Sequence, residues 1–485
     1  MKRLIALGLA LLFACTAAAQ QKRDFLKEYE EFKRRSLQQY DDFRDRANAS
    51  YEKFMREAWT KHEAQQADSL PFRPEPPKPV VKDPDTGPSN DVVPVDNVVV
   101  PPPAPVVPPQ PAAPIPAPQT PPAGKFEFKY YGTPCSVPLG EGHRFALKGV
   151  DENSVADGWG VLSSDDYLPV ISECLNLRSS LRLCDWGYVR LVERMTMDFL
   201  GRTKQNEARL MQMFILTQSG YKVRIARAGD KLVLLLPAKE KIYEYPYLSI
   251  GDSNYYITDP SMMKNSFMVF DREFPKERYF SIQMNEEPLL AEHMGLARTL
   301  TSERYPDMTL EVAINLNLID FYDDYPLHDL WNLYALASLS SRTKEQMYPV
   351  LRGLTEGIAR EDAVNKLLNF VQTAFEYKTD AEQFGQERPF FADETLFYPY
   401  SDCEDRAILF SVLVRDLLGL DVVLLHYPVH LATAVSFGDE QVDGDYMMLD
   451  GKKYIVCDPT YIGASVGDTM PQFKNTAAKI VKIAK

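Results

Sequence analysis

Between Pro71 and Pro122 the chain carries runs such as Pro101-Pro102-Pro103-Ala104-Pro105 and Ala112-Ala113-Pro114-Ile115-Pro116, with no hydrophobic period. Each proline fixes φ and lacks an N–H, so such text cannot form a helix interior or a central strand. The stretch predicts a spacer over residues 67–125. In polyproline geometry, at ~3.1 Å per residue, its reach is on the order of 150 Å. A docking site for a proline-reading partner is the alternative. Either way the chain is divided into a short N-terminal segment and a globular remainder.

The 485 residues leave room for two to four domains. Charge excludes one class of partner: 54 basic against 68 acidic residues give a net −14, and no basic patch stands out, so a nucleic-acid surface is not expected. Met1-Lys2-Arg3, the apolar run Leu4 to Ala14 and small residues up to Ala19 predict a signal peptide over 1–19. The protein is therefore expected in the periplasm or outside the cell. Leu12-Phe13-Ala14-Cys15 offers a second processing route, with lipid on Cys15 and attachment to the cell envelope. After ordinary cleavage five cysteines remain: Cys135, Cys174, Cys184, Cys403 and Cys457. An odd number leaves at least one thiol unpaired within the chain, and Cys174 with Cys184 could close a short loop.

Residues 20–66 are highly charged, with Tyr29, Tyr40 and Tyr51, and then Phe32, Phe43 and Phe54, repeating every eleven residues. Eleven residues make three helical turns, so the rings form one stripe. Two structures satisfy this pattern. One is a stalk that self-associates through residues 21–66; the other is a lone amphipathic helix lying on the globular body or on a membrane surface.

From about Phe126 the text is globular. Val233 to Leu236 and Tyr446 to Cys457 read as strands, the latter turned over Asp450-Gly451. Ala363 to Tyr377 and Asp405 to Leu418 read as helices, the second stopped by Gly419. Cys403 lies at the start of that second helix, where free backbone N–H groups and the positive dipole end favour a thiolate and can receive an oxyanion. A strand-like run from Val422 to Leu425 follows, then His430 opening a second run, then Asp458-Pro459-Thr460 at the end of the hairpin. Cys, His and Asp at element ends can serve acyl chemistry: the imidazole takes the thiol proton and the carboxylate fixes the tautomer. His426 competes with His430 for the role of base. It ends the first strand rather than opening the second, and His430 is preferred. Cys457 reads as a small buried hydrophobe, and Asp405 as a cap or a partner of Arg406.

Phe370-Val371-Gln372, Glu394-Thr395-Leu396, Asp402-Cys403-Glu404-Asp405, Val429-His430-Leu431-Ala432 and Cys457-Asp458-Pro459-Thr460 together resemble the core of the transglutaminase-like superfamily. The resemblance covers about a fifth of the chain. It implies an α+β, papain-like fold with a small antiparallel sheet, Cys403 as nucleophile, His430 as general base and acid, and Asp458 as orienting carboxylate. Ser401 departs from the pattern, since many relatives carry Gly there, and it could narrow the approach to the thiol. One oxyanion donor is expected from the Cys403 backbone, and Gln372 is the side-chain candidate for the second.

No Cys-x-x-Cys pair, His-Glu-x-x-His helix or Gly-rich phosphate loop is present, so neither a metal nor a nucleotide cofactor is expected. A shift of 199 residues lays Ala208 on Ala407, Gly220 on Gly419, Leu232 on Leu431 and Asp259-Pro260 on Asp458-Pro459. This predicts tandem copies: a degenerate unit over 126–265, with Lys204 and Lys231 facing Cys403 and His430, and a catalytic unit over 266–485. The expected activity is attack on amide bonds of peptides or proteins through a thioester. Hydrolysis is expected rather than cross-linking, because water at ~55 M is the default acceptor. Phe390-Phe391 and Phe397-Tyr398-Pro399-Tyr400 would line a peptide groove or pack in the core. A non-catalytic binding or scaffolding protein of the envelope is the rival class.

Overall fold

The computed structural model of the protein describes residue 27 and residues 31–71, 78–87, 89–100, 110–113, 124–259 and 266–483. The signal segment and Cys15 lie outside the described residues. Among the described residues no helix is long and apolar enough to cross a membrane.

The fold is α+β and is organised by two six-stranded sheets. One has the order Thr60–Glu63, Ser266–Phe270, Arg224–Ala228, Lys231–Pro237, Ser253–Ile257, Tyr247–Ile250. The other runs Val95–Val99, Ala478–Lys482, Asp421–Tyr427, His430–Ser436, Lys452–Cys457, Tyr446–Leu449. A displacement of 199 residues carries the pair Arg224↔Leu235 onto Val423↔Ala434, Leu235↔Ile257 onto Ala434↔Val456, and Tyr247↔Tyr256 onto Tyr446↔Ile455. Strand order and register therefore agree across the central hairpins. Pairing in the last pair of strands differs, since Thr60–Glu63 is antiparallel to its neighbour and Val95–Val99 parallel.

Each sheet carries one helix that is buried on nearly every face. Gln205–Gln218 buries all residues from Ala208 onward, and Cys403–Leu418 buries all from Cys403 to Val414. Burial on nearly every face explains the continuous apolar runs Ile408-Leu409-Phe410 and Met213-Phe214-Ile215, while charged residues buried in the same helices, such as Arg209 and Arg406, are held by hydrogen bonds. Gly419 adopts φ 64° and ends the second helix, and Asp450-Gly451, at φ 49° and 78°, turns the last hairpin as the dipeptide predicts.

Two expectations need correction, and one pair of alternatives is narrowed. The Pro-rich stretch is not a free spacer in its described parts. Its Val-rich portion adds the strand Val95–Val99 to the second sheet, Val92 bridges the opposite edge at Tyr446, and Val93 is buried. Gln110 passes so close to Gly220 that a Cβ there would run into its carbonyl oxygen, and Ala112 and Ala113 are buried. β-Branched valines suit the strand, and the prolines, outside its five residues, do not prevent pairing along a sheet edge. The charged helix, 31–55, does not stand off as a stalk over its last turns: Tyr51, Met55 and the following Trp59 are buried in the main core. Phe32 and Tyr40 remain exposed. Thirdly, a boundary at residue 265 cuts the first unit, because Ser266–Phe270 pairs with Arg224–Ala228 in its sheet.

His328 sits between the helices Leu316–Asp323 and Trp331–Leu336, fully buried, with its ring 4.3 Å from that of Tyr334. Burial alone pushes its pKa down from 6.5 to about 3. The folded protein thus keeps the ring neutral, while the unfolded chain takes up a proton below about pH 6.5. The stabilisation is present above that pH and is lost as pH falls toward the folded value. Between pH 7 and pH 4 the wild type should lose on the order of 3 kcal/mol more than His328→Phe, measured by denaturant titration. Equal losses in the two proteins would refute a neutral buried imidazole.

Candidate functional site

Cys403 opens its helix with Asp402 as the capping residue. Asp405 accepts from the Asp402 N–H at 3.3 Å and from the Phe390 N–H at 3.0 Å, so the capping role holds. Arg406 reaches elsewhere. Buried at 1% exposure, it donates to Ser401 Oγ at 3.1 Å and to the carbonyls of Gln372 at 3.0 Å and Phe375 at 2.9 Å. Burial lowers its pKa to about 10, still far above neutrality. It ties the start of the Cys403 helix to the end of Arg360–Thr373, and Ser401 serves this tie as an acceptor.

The strand Asp421–Tyr427 turns over Pro428-Val429 so that Tyr427 pairs with His430. The return strand Lys452–Cys457 delivers Asp458 to the same end of the sheet. His430 Nε2 donates to Asp458 Oδ2 at 2.8 Å, and Asp458 Oδ1 accepts from the Thr460 N–H at 3.0 Å. Phe473 lies parallel to the imidazole, 5.0 Å between centroids and 3° between planes, and itself stacks on Tyr427 at 4.7 Å. The ring is held by its edge and by its face. Leu431 N–H donates to Cys403 Sγ at 3.3 Å, which brings the residue after His430 onto the sulfur. With Nε2 committed to Asp458, Nδ1 is the ring nitrogen that bond leaves over. Cys403, His430 and Asp458 are 1%, 4% and 2% exposed, so the sulfur is closed off from solvent.

Gln372 is not placed as an oxyanion donor. Its Nε2 donates to the carbonyls of Asp458 at 3.1 Å, Tyr461 at 2.8 Å and Ala464 at 3.2 Å. The side chain is spent on holding the loop that follows Asp458, because its helix face is buried against that loop. His426 points to the opposite sheet face from His430, with its ring 6.2 Å from Trp331. Phe390 and Phe391 are core residues; Phe390, Phe384 and Tyr398 surround the Arg388 guanidinium at 5.0 to 5.1 Å. Cys457 is fully buried, which raises its pKa. Cys174 and Cys184 are both free thiols, and Cys174 packs its sulfur on Met195.

Sequence reasoning missed Phe473, Leu431 and Arg406. Leu431 sits inside a quoted motif and Arg406 directly follows one, so proximity to Cys403 and His430 was the available signal; Phe473 carried none. It also missed the acidity around the thiol. Glu404 is wholly buried and Asp402 nearly so, while the Asp380 N–H donates to Asp402 at 3.1 Å. Burial, then the neighbouring carboxylates, raise the pKa of both Asp380 and Asp405. Proximity of acids alone does not define a cation site.

No protein-family model, curated protein or solved structure matches this chain.

Proposed function

We propose that this protein is an exported, cysteine-dependent acyl-transfer enzyme of transglutaminase-like, papain-type architecture that cleaves amide bonds in peptide or protein substrates. Cys403 attacks the carbonyl carbon, the Sγ proton passes to His430, and the leaving amine takes it back as the thioester forms. Water, activated by the same imidazole, then releases the acid. Asp458 keeps Nε2 protonated and the ring oriented. The observation that carries this reading is the 2.8 Å His430–Asp458 bond together with the 3.3 Å contact from the backbone N–H of Leu431, the residue after His430, to the Cys403 sulfur. The oxyanion would be met by N–H groups at the start of the Cys403 helix.

The matching register of the two sheets supports a duplication in which the first unit lost the chemistry: a displacement of 199 sets Lys204 against Cys403 and Lys231 against His430. Lys204 donates to the Phe145 carbonyl at 2.9 Å, an ordinary structural role. The second reading, an envelope scaffold, is favoured by the burial of the thiol. Incubating peptide libraries with intact protein and with Cys403→Ser separates the two. The proposal expects cleavage products from the wild type alone, and identical digests would contradict it.

A further inference from the structure

The thiol has a second neighbour besides the Leu431 N–H. Cys403 Sγ donates to Glu404 Oε2 at 3.2 Å, and Glu404 is 0% exposed. A buried carboxylate on a sulfur keeps a proton between them, because two adjacent anions in a water-free site repel strongly. Resting on the catalytic reading above, we propose that Glu404 is a positioning residue that holds the Cys403 proton in the resting enzyme and so sets the pH at which the sulfur becomes a nucleophile.

For attack, the S–H bond breaks, its electron pair stays on sulfur and the proton moves to His430 Nδ1. The hydrogen bond to Glu404 must be given up first. Other charged groups face the same point. On its own helix these are Asp402, Asp405 and Arg406; the strand side brings His430 with Asp458 behind it; and Asp380, with Glu387 beyond it, approaches through Asp402. Arg406 is the one cation on that helix start, and its donors go to Ser401 and two carbonyls rather than to Glu404. The Leu431 N–H acts in the opposite sense to Glu404 and favours thiolate, so the thiol is balanced between a donor and an acceptor.

The test is the pH profile of Cys403 alkylation by iodoacetamide, located by peptide mapping, in wild type, Glu404→Gln, His430→Ala and the double variant. Glu404→Gln replaces an acceptor by an amide that can donate to sulfur at unchanged volume. It should move the profile down by about one pH unit, giving roughly 10-fold faster labelling at a pH below the wild-type midpoint. His430→Ala should slow labelling in both backgrounds. A Glu404→Gln profile that coincides with wild type, or moves upward, while His430→Ala still slows labelling, overturns the Glu404 inference alone. If His430→Ala changes nothing, the catalytic reading itself fails. Should Glu404→Gln not fold, the infrared S–H band of the wild type decides. A band lost in Cys403→Ser and shifted to low frequency by a carboxylate acceptor supports the inference, and a band at the position of a free thiol refutes it.

Discussion

Tyr51→Ala is expected to destabilise the protein by about 3–5 kcal/mol, the range found when a large buried ring is removed from a packed core. Its ring lies 4.8 Å from those of Trp159 and Phe270 and 5.2 Å from Phe274, at 2% exposure, and its hydroxyl donates to the Arg272 carbonyl at 3.3 Å. For a unit of 150–250 residues that loss corresponds to a melting temperature lower by roughly 6–20 °C. Phe32 and Tyr40 belong to the same eleven-residue stripe but are 63% and 42% exposed, and their replacement by Ala should change stability by less than about 0.5 kcal/mol. Thermal unfolding of the three variants tests whether the helix is part of the body. A self-associating stalk predicts the reverse order, with Phe32→Ala and Tyr40→Ala dissociating an oligomer.

Asp458→Ala should lower substrate turnover by roughly 10⁴-fold, the scale seen when the carboxylate that orients a catalytic imidazole is lost. Two bonds disappear together, to His430 Nε2 and from the Thr460 N–H. The ring then keeps its stacking on Phe473 and Tyr427 but is free to adopt the other tautomer. The effect should fall on kcat rather than KM, because substrate contacts are untouched. Steady-state kinetics on a peptide cleaved by wild type and not by Cys403→Ser would show it. Unchanged kcat would remove Asp458 from the mechanism.

What could be read from the sequence followed from local rules. The helix start at Cys403, its stop at Gly419 and the Asp450-Gly451 hairpin each depend on residues within a turn or two. The 199-residue displacement was legible for a related reason: strand order and register in the hairpins are set by loop lengths, and those agree between the halves. The failures were long-range. Val95–Val99 pairs with Ala478–Lys482 almost four hundred residues away, and no periodicity in a proline-rich stretch announces such a partner. Gln372 looked like a donor aimed at the thiol because it lies on a helix near the site, but three loop carbonyls, all in residues 458–464, claim its amide. Phe473 came from a short turn, Pro471–Phe473, whose sequence has no chemical signature. In each case side chains compete for partners that only the folded chain brings near.

The most direct test of the central claim is the rate at which Cys403 reacts with iodoacetamide at neutral pH, compared between wild type and His430→Ala with peptide mapping to isolate that thiol. A working Cys–His pair predicts labelling at least about 10-fold slower without the imidazole, since an unassisted thiol is only a few per cent thiolate near pH 7. Equal rates in the two proteins would mean that the sulfur and the ring do not act together, and the proposed enzyme would be contradicted.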